Sequence, residues 1–220
     1  MTEINDLWDT GTAAGSGRKN AMGIREEHKA ATRREIQRVT LDLFETAGTE
    51  ATTVARIAER AGISERTFFR YFDSKESAAV PGQGELIEAL VGKELDPSLS
   101  SAQILRKLLD VCRQQFAHEV EQHEFLRISR LLLREPALLQ MVARQELHLV
   151  SVLSGSLSER GLLDPMRALL VAELITCTWR VAWQCFAQAE ETGRSDPAEL
   201  FEQAVAGLDE ITAQAGSARS

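Results

Sequence analysis

Residues 53–75 read TVARIAERAGISERTFFRYFDSK and contain two short helical patterns separated by a tight turn. In the first pattern, Val54 and Ile57 recur at the spacing of one helix face. Gly62 then interrupts the pattern, because glycine readily adopts the positive φ that ends a helix. Ser64 follows as a predicted N-cap. The stretch therefore predicts a helix, a short turn and a second helix that reads ERTFFRYF.

The second predicted helix has the chemistry of a DNA-reading element. Glu65 lies at its start, where the helix dipole favours a negative charge. Arg66 and Arg70 follow among aromatic residues. Two helices joined by a glycine-containing turn form a helix-turn-helix unit, whose second helix enters the DNA major groove.

Over residues 33–79, the pattern TVxxIAxxAGISxxTFFRYFxSK resembles the DNA-binding signature of the TetR family of transcriptional regulators. The resemblance implies an all-α fold. An N-terminal three-helix DNA-binding domain with a helix-turn-helix would be followed by a larger helical ligand-binding and dimerisation domain. We accordingly assign residues 24–75 to the DNA-binding domain and residues 76–220 to the regulatory domain.

The N-terminal residues 1–23 are rich in glycine and small polar residues, which predicts a disordered tail. Basic residues lie at the end of this segment and just beyond it, namely Arg18, Lys19 and Arg25. Two interpretations stay open for them: an arm that contacts phosphates or the minor groove, as homeodomain arms do, or a solvated tail.

The net charge of −8 divides unevenly along the chain. Residues 18–75 carry twelve Lys or Arg against nine Asp or Glu, whereas the acidic excess lies outside them. This asymmetry indicates that the basic segment binds an anion, while the acidic remainder keeps the protein soluble.

The three cysteines have unrelated spacings, which predicts a reducing, cytoplasmic setting rather than a disulfide scaffold. Cys177 and Cys185 would share a helix face. Their role would be either that of small core residues or that of a redox sensor. Neither a membrane span nor a secretory signal is expected.

Beyond Lys75, the sequence predicts helices with short breaks. Pro81-Gly82 should interrupt the fourth helix, in contrast to the long unbroken connecting helix that is usual in the resembling family. The later helices are predicted at about residues 102–119, 124–134, 136–160, 165–191 and 197–213, whereas the first helix of the chain is predicted at about residues 26–47. No strand pattern or internal repeat is found in the sequence.

The last two predicted helices are apolar on more than one side. Leu170, Leu174, Cys177 and Val181 follow one side of the first, and the second carries a wide apolar stripe. In TetR-like regulators the corresponding pair forms a four-helix bundle with its twin. The resemblance therefore implies a homodimer through the last two helices.

The resemblance also assigns DNA-contact roles to particular residues. It makes Lys75 a phosphate contact and places Thr67 against DNA near the start of the recognition helix. Phe69 stands where tyrosine is common, so it would pack on a sugar or a thymine methyl, or fill the small core. Tyr71 is available for phosphate, whereas Phe68 and Phe72 are expected in the core.

Hydroxyl groups and arginines complete the candidate interface. Thr52 and Thr53 offer hydroxyls at the start of the second helix, for capping, for a phosphate, or for both. Arg66 and Arg70 are candidates for base readout through guanine, with a phosphate contact as the alternative. As a homodimer, the protein would bind an inverted-repeat operator in double-stranded DNA.

The resemblance further implies a small-molecule effector, and hence a ligand-responsive regulator that is usually a repressor. Pocket candidates combine apolar or aromatic surface with a polar group, although each also suits a plain core. These candidates are Phe116, Phe125, His148, Trp179 and Trp183. A protein partner instead of a ligand is the alternative.

The sequence contains no motif for an enzyme. The four histidines form no HExxH pattern, and neither a phosphate-binding glycine loop nor a GxSxG elbow occurs. No catalytic residue, cofactor or metal is therefore expected. Two other functions remain open: transcriptional activation, and architectural or partner-dependent DNA binding.

Overall fold

The computed structural model describes residues 13–80, 82–120, 123–192 and 196–217, which form helices without a strand. None of these helices is long and apolar enough to cross a membrane. The helices are α1 (Ala13–Ala47), α2 (Val54–Arg60), α3 (Glu65–Tyr71), α4 (Lys75–Ala79), α5 (Gly84–Val91), α6 (Ser101–Val120), α7 (His123–Leu132), α8 (Pro136–Glu159), α9 (Pro165–Thr192) and α10 (Pro197–Ser217). The all-α prediction is confirmed.

Proline and glycine set most helix ends where the sequence predicts them. The helices α8, α9 and α10 begin at Pro136, Pro165 and Pro197, since proline at a first turn sacrifices no helical hydrogen bond. Gly161 has φ +67° and lies just beyond α8. The predicted break after the fourth helix is also confirmed, because α4 ends at Ala79 and α5 begins at Gly84.

The first helix differs from the prediction. It begins at Ala13 rather than near Glu26, so residues 13–23 are helical and not a disordered tail. No proline occurs between Ala13 and Ala47, so the glycines of this segment weaken the helix without ending it. Residues 1–12 and the side chains of Arg18, Lys19 and Arg25 lie outside the described part of the structure.

Two hydrophobic cores organise the chain. The head core joins α1 to α4 through Ile36, Val39, Leu43, Ile57, Phe68, Phe72 and Ala78. The regulatory core joins α5 to α10 around a cluster of aromatic rings that centres on Phe116. The helices α1–α3, called the head below, therefore share a core with Ala78 of α4 that is separate from the regulatory core.

A third cluster, the junction, connects the head to the regulatory helices. Its buried residues are Leu41, Phe44, Ala79, Val80, Ile128, Leu131 and Leu138. Polar contacts reinforce it, because the Arg127 guanidinium donates to Asp42 at 2.7 Å and to Glu45 at 2.7 and 2.8 Å. The hydrogen bond with Glu45 contributes most to raising the pKa of Arg127, and the hydrogen bond with Asp42 raises it further. Partial burial has the opposite effect and lowers this pKa. The Thr49 hydroxyl also donates to Glu135.

One carboxyl group makes the stability of the regulatory domain depend on pH. Burial, and secondarily the charge of Glu85, raise the pKa of Glu119 from 4.5 to about 7, although a hydrogen bond with Gln115 opposes the shift. In the unfolded chain this carboxyl ionises at lower pH than in the folded protein. Glu119 therefore reduces stability progressively as the pH rises from about 4.5 to about 7.

We expect Glu119→Gln to stabilise the protein by about 2–3 kcal/mol at pH 8 and to have little effect near pH 5. The amide keeps the shape of the carboxyl group but cannot ionise. Urea unfolding at fixed protein concentration across this pH range measures the difference. Glu88→Gln, on an exposed side chain of α5, is the control. A Glu119→Gln protein with the wild-type pH profile would contradict the assignment.

Candidate nucleic-acid interface

The turn between α2 and α3 is built as the sequence predicts. Gly62 has φ +66°, and the Ile63 amide donates to the Ala58 carbonyl at 2.9 Å. Ser64 then caps α3, because its hydroxyl oxygen accepts from the Thr67 amide at 3.1 Å. These contacts fix the direction of α3 relative to α2, and they form a helix-turn-helix.

The two sides of α3 have different surroundings. Phe68 and Phe72 are buried in the head core, as predicted. Phe69 is 53% exposed, so the interpretation of Phe69 as core is wrong. Glu65, Arg66, Phe69 and Arg70 form an exposed face at the spacing of adjacent helical turns, called the α3 face below.

The hydroxyl groups before α2 have separate roles. The Thr53 side chain caps α2 by accepting from the Arg56 amide at 3.2 Å. Thr52 is 1% exposed, and its hydroxyl donates inward to the Gly48 carbonyl at 2.8 Å. The expectation of a DNA contact from the Thr52 side chain is therefore not supported, since the segment after α1 buries it.

The end of α3 is held by Arg33 of α1. The Arg33 Nη1 donates to the Tyr71 carbonyl at 3.3 Å, and the Arg33 guanidinium carbon lies 4.5 Å from the centroid of the Phe72 ring. Arg70 lies 5.2 Å from the centroid of the Tyr71 ring. Because Arg33 is 38 residues from Tyr71 in sequence, helical periodicity could not indicate this contact.

Lys75 makes internal contacts that the sequence did not predict. Its Nζ donates to the carbonyls of Thr49 and Thr52, and it lies 3.9 Å from a Glu76 carboxylate oxygen. The Lys75 side chain still has 23% of its surface exposed. The ammonium group thus holds the segment that leads into α2.

The predicted ligand residues fall into two places. Phe116, Phe125, Trp179 and Trp183 belong to one aromatic cluster, with ring centroids 5.5 Å apart for Phe116 and Trp179 and 4.0 Å apart for Phe125 and Trp183. These rings fill the regulatory core. His148 is exposed and lines a separate cleft beside α8.

Comparisons with known proteins agree with this geometry. Residues 36–77 match the profile of the bacterial regulatory proteins of the tetR family. The HTH-type transcriptional regulator TcmR of Streptomyces glaucescens is 32% identical over 148 residues, which cover 64% of this chain and 65% of TcmR. The chain thus spans less than two thirds of that relative.

Solved structures share the fold at low sequence identity. NalD of Pseudomonas aeruginosa has a TM-score of 0.51 at 16% identity, over 83% of this chain and 96% of NalD. FadR of Bacillus subtilis has a TM-score of 0.51 at 19% identity, over 78% of this chain and 94% of FadR. SmeT has a TM-score of 0.53 at 16% identity, over 80% of this chain and 91% of SmeT.

The head and the profile match together define a helix-turn-helix protein of the bacterial regulatory class. Residues 36–77 carry the DNA-binding module of the bacterial regulatory proteins of the tetR family.

The α3 face yields a prediction about base recognition. We expect Arg66→Ala to cost about 1–3 kcal/mol of DNA-binding free energy and to relax preference at one position in each half-site. Titration of single-base operator variants measures this loss. Arg106→Ala, on an exposed site of α6, should bind like the wild type. An equal loss on all sequences would instead make Arg66 a phosphate contact.

Lys75 yields a prediction about salt dependence. We expect Lys75→Met to weaken binding to every DNA sequence and to lower the slope of log affinity against log salt by about one, because one phosphate contact is lost. Titrations at several salt concentrations measure the slope. Weaker binding with an unchanged slope would show that Lys75 only holds the segment before α2.

Proposed function

We propose that this protein is a sequence-specific DNA-binding transcriptional regulator. The observation that carries the proposal is the α3 face, where Arg66, Phe69 and Arg70 are exposed on a helix fixed by the turn and by Arg33. A short rigid helix with exposed arginines suits the major groove, because arginine pairs bidentately with guanine. Thr53, Ser64 and Thr67 lie at the helix N-termini, where backbone amides favour a phosphate.

We further propose that the protein binds DNA as a homodimer through α9 and α10. Met166, Leu170 and Val181 of α9 are 73%, 56% and 39% exposed, and Cys177 is exposed between them. Ile211 of α10 is 70% exposed. In contrast, Ile175, Trp179, Ala182 and Phe186 on the other side of α9 are buried. A second copy would cover this exposed apolar side, since two-fold contacts pair one surface with itself.

A two-fold dimer carries two α3 helices, so its operator should be an inverted repeat. Regulation by a small molecule, with repression in its absence, completes the proposal. It is supported by the shared fold, because FadR of B. subtilis was solved with stearoyl-CoA, SmeT with triclosan, and NalD is described as a repressor. An effector must bind one dimer geometry more tightly than the other to have any effect.

Selection of bound fragments from the source genome by the purified protein, at near-physiological salt, tests this function. We expect recovery of one inverted-repeat sequence, and the neighbouring genes would indicate the effector class. Recovery of unrelated fragments that is lost when salt is added would indicate phosphate contacts alone. That outcome would contradict sequence-specific regulation and favour an architectural role.

A further inference from the structure

No continuous helix joins the head to the regulatory helices in the described part of the chain. The helix α4, which follows the head, spans only Lys75–Ala79, and α5 begins separately at Gly84. The direction of the head is therefore not carried onward by a connecting helix. It depends instead on the junction, where α1 and α4 pack against α7 and α8.

One ionic contact gives the junction a fixed direction. Apolar packing holds surfaces together but is non-directional. The Arg127 guanidinium of α7 donates through Nε and Nη2 to the two carboxylate oxygens of Glu45, at 2.8 and 2.7 Å, and Nη2 also donates to Asp42 at 2.7 Å. Such a bidentate contact holds a planar guanidinium and a carboxylate in one relative orientation. These three hydrogen bonds are called the Arg127 fork below.

The Arg127 fork acts on the helix that carries the head. Asp42 and Glu45 are three residues apart, so they lie on one face of α1 in adjacent turns. A contact with both turns fixes the direction of α1 as well as its position. Because α1 forms part of the head core and its Arg33 holds the end of α3, the direction of α1 also sets that of α3.

Another side of α7 connects to the helix of the proposed dimer contact. Phe125 is buried, and its ring centroid lies 4.0 Å from that of Trp183 and 5.0 Å from that of Phe186, both on α9. Helix residues two apart do not face the same way, so Phe125 and Arg127 join α7 to two different neighbours. The path from the proposed dimer contact to the head therefore runs through α9, α7 and the Arg127 fork.

We propose that the Arg127 fork sets the angle between the two heads of the dimer, and thereby the half-site spacing that the protein accepts in its operator. Arg127 is then a positioning residue, which selects DNA without touching it. One base pair added between the half-sites moves them about 3.4 Å apart and rotates one relative to the other by about 35°. A head that the fork holds cannot follow this displacement, whereas a head held by apolar packing alone can turn. The inference rests on the dimer and the inverted repeat of the proposed function.

Titration of the full-length protein with a series of duplexes tests this positioning role. The series contains the selected inverted repeat, the same repeat with one or two base pairs added or removed between the half-sites, and a single half-site. We expect each change of spacing to weaken wild-type binding by at least about tenfold, and Arg127→Gln to reduce this loss to about threefold or less, because the charge-assisted hydrogen bonds that hold the angle are lost. Both proteins should bind the single half-site equally.

The variant is expected to fold, because Asp42 keeps an ion pair with Arg38 at 3.0 Å and the Glu45 side chain is partly exposed. Arg130→Gln is the matched control, since Arg130 is an exposed arginine of the same helix. It should keep the wild-type spacing preference. Exchange of the two charges, with Arg127→Glu and Glu45→Arg in one protein, should restore part of the preference that Arg127→Gln loses.

Three outcomes would overturn the proposal. If Arg127→Gln keeps the wild-type spacing preference, the fork does not set the angle, and the proposed dimeric regulator still stands. If Arg127→Gln weakens binding to the single half-site as much as to the inverted repeat, the fork only stabilises the head. If the wild-type protein binds one half-site as tightly as the inverted repeat, the dimeric operator of the proposed function fails, and this inference fails with it.

Discussion

Leu170→Glu should convert the protein from a dimer to a monomer at micromolar concentration and lower operator affinity by at least about 100-fold. Leu170 lies in the middle of the exposed apolar side of α9 and is 56% exposed. A two-fold interface would bury the new carboxylate twice without a partner, at a cost of several kcal/mol. The monomer would then contact only one half-site.

Sedimentation equilibrium measures the association, and a parallel titration with duplex DNA measures the affinity. Leu147→Glu is a matched control, because Leu147 is a leucine on α8 with 68% of its surface exposed. That control should remain dimeric. A Leu170→Glu protein that is still dimeric, or a wild-type protein that is strictly monomeric, would refute the proposed interface.

Phe68→Ala should destabilise the head by about 3–5 kcal/mol and abolish specific DNA binding. Phe68 is 0% exposed and packs against α1 and α2 in the head core. Because the regulatory helices have a separate core, we expect the dimer to persist. Thermal unfolding, hydrogen exchange of the head and sedimentation together distinguish local unfolding of the head from unfolding of the whole protein.

The neighbouring aromatic residue provides the control. Phe69 is 53% exposed, so Phe69→Ala should change stability by no more than about 0.5 kcal/mol. Its effect should appear in DNA affinity instead, through lost contact with a sugar or a thymine methyl. A Phe68→Ala protein that binds its operator normally would contradict the role of this core in positioning α3.

Local sequence rules predicted most of the helix boundaries. Ser64 caps α3, Gly62 adopts positive φ, and Pro165 begins α9, because each depends on chemistry within a few residues. The early start of α1 escaped these rules. Several glycines suggested disorder there, although nothing in the segment forbids a helix.

Contacts between distant residues could not be predicted in the same way. Arg127 is 82 residues from Glu45 in sequence, and Lys75 is 23 residues from Thr52. Thr52 and Thr53 are identical side chains, yet one is buried and the other caps α2. Tertiary packing decides such cases.

Sequence-specific reading of DNA by α3 is what the proposed function requires. A competition titration at near-physiological salt tests it most directly, with a duplex that carries the selected inverted repeat and a scrambled duplex of equal length and composition. We predict at least about 1,000-fold tighter binding to the inverted repeat, in the range of specific DNA-binding proteins. Equal affinity for the two duplexes would contradict the claim.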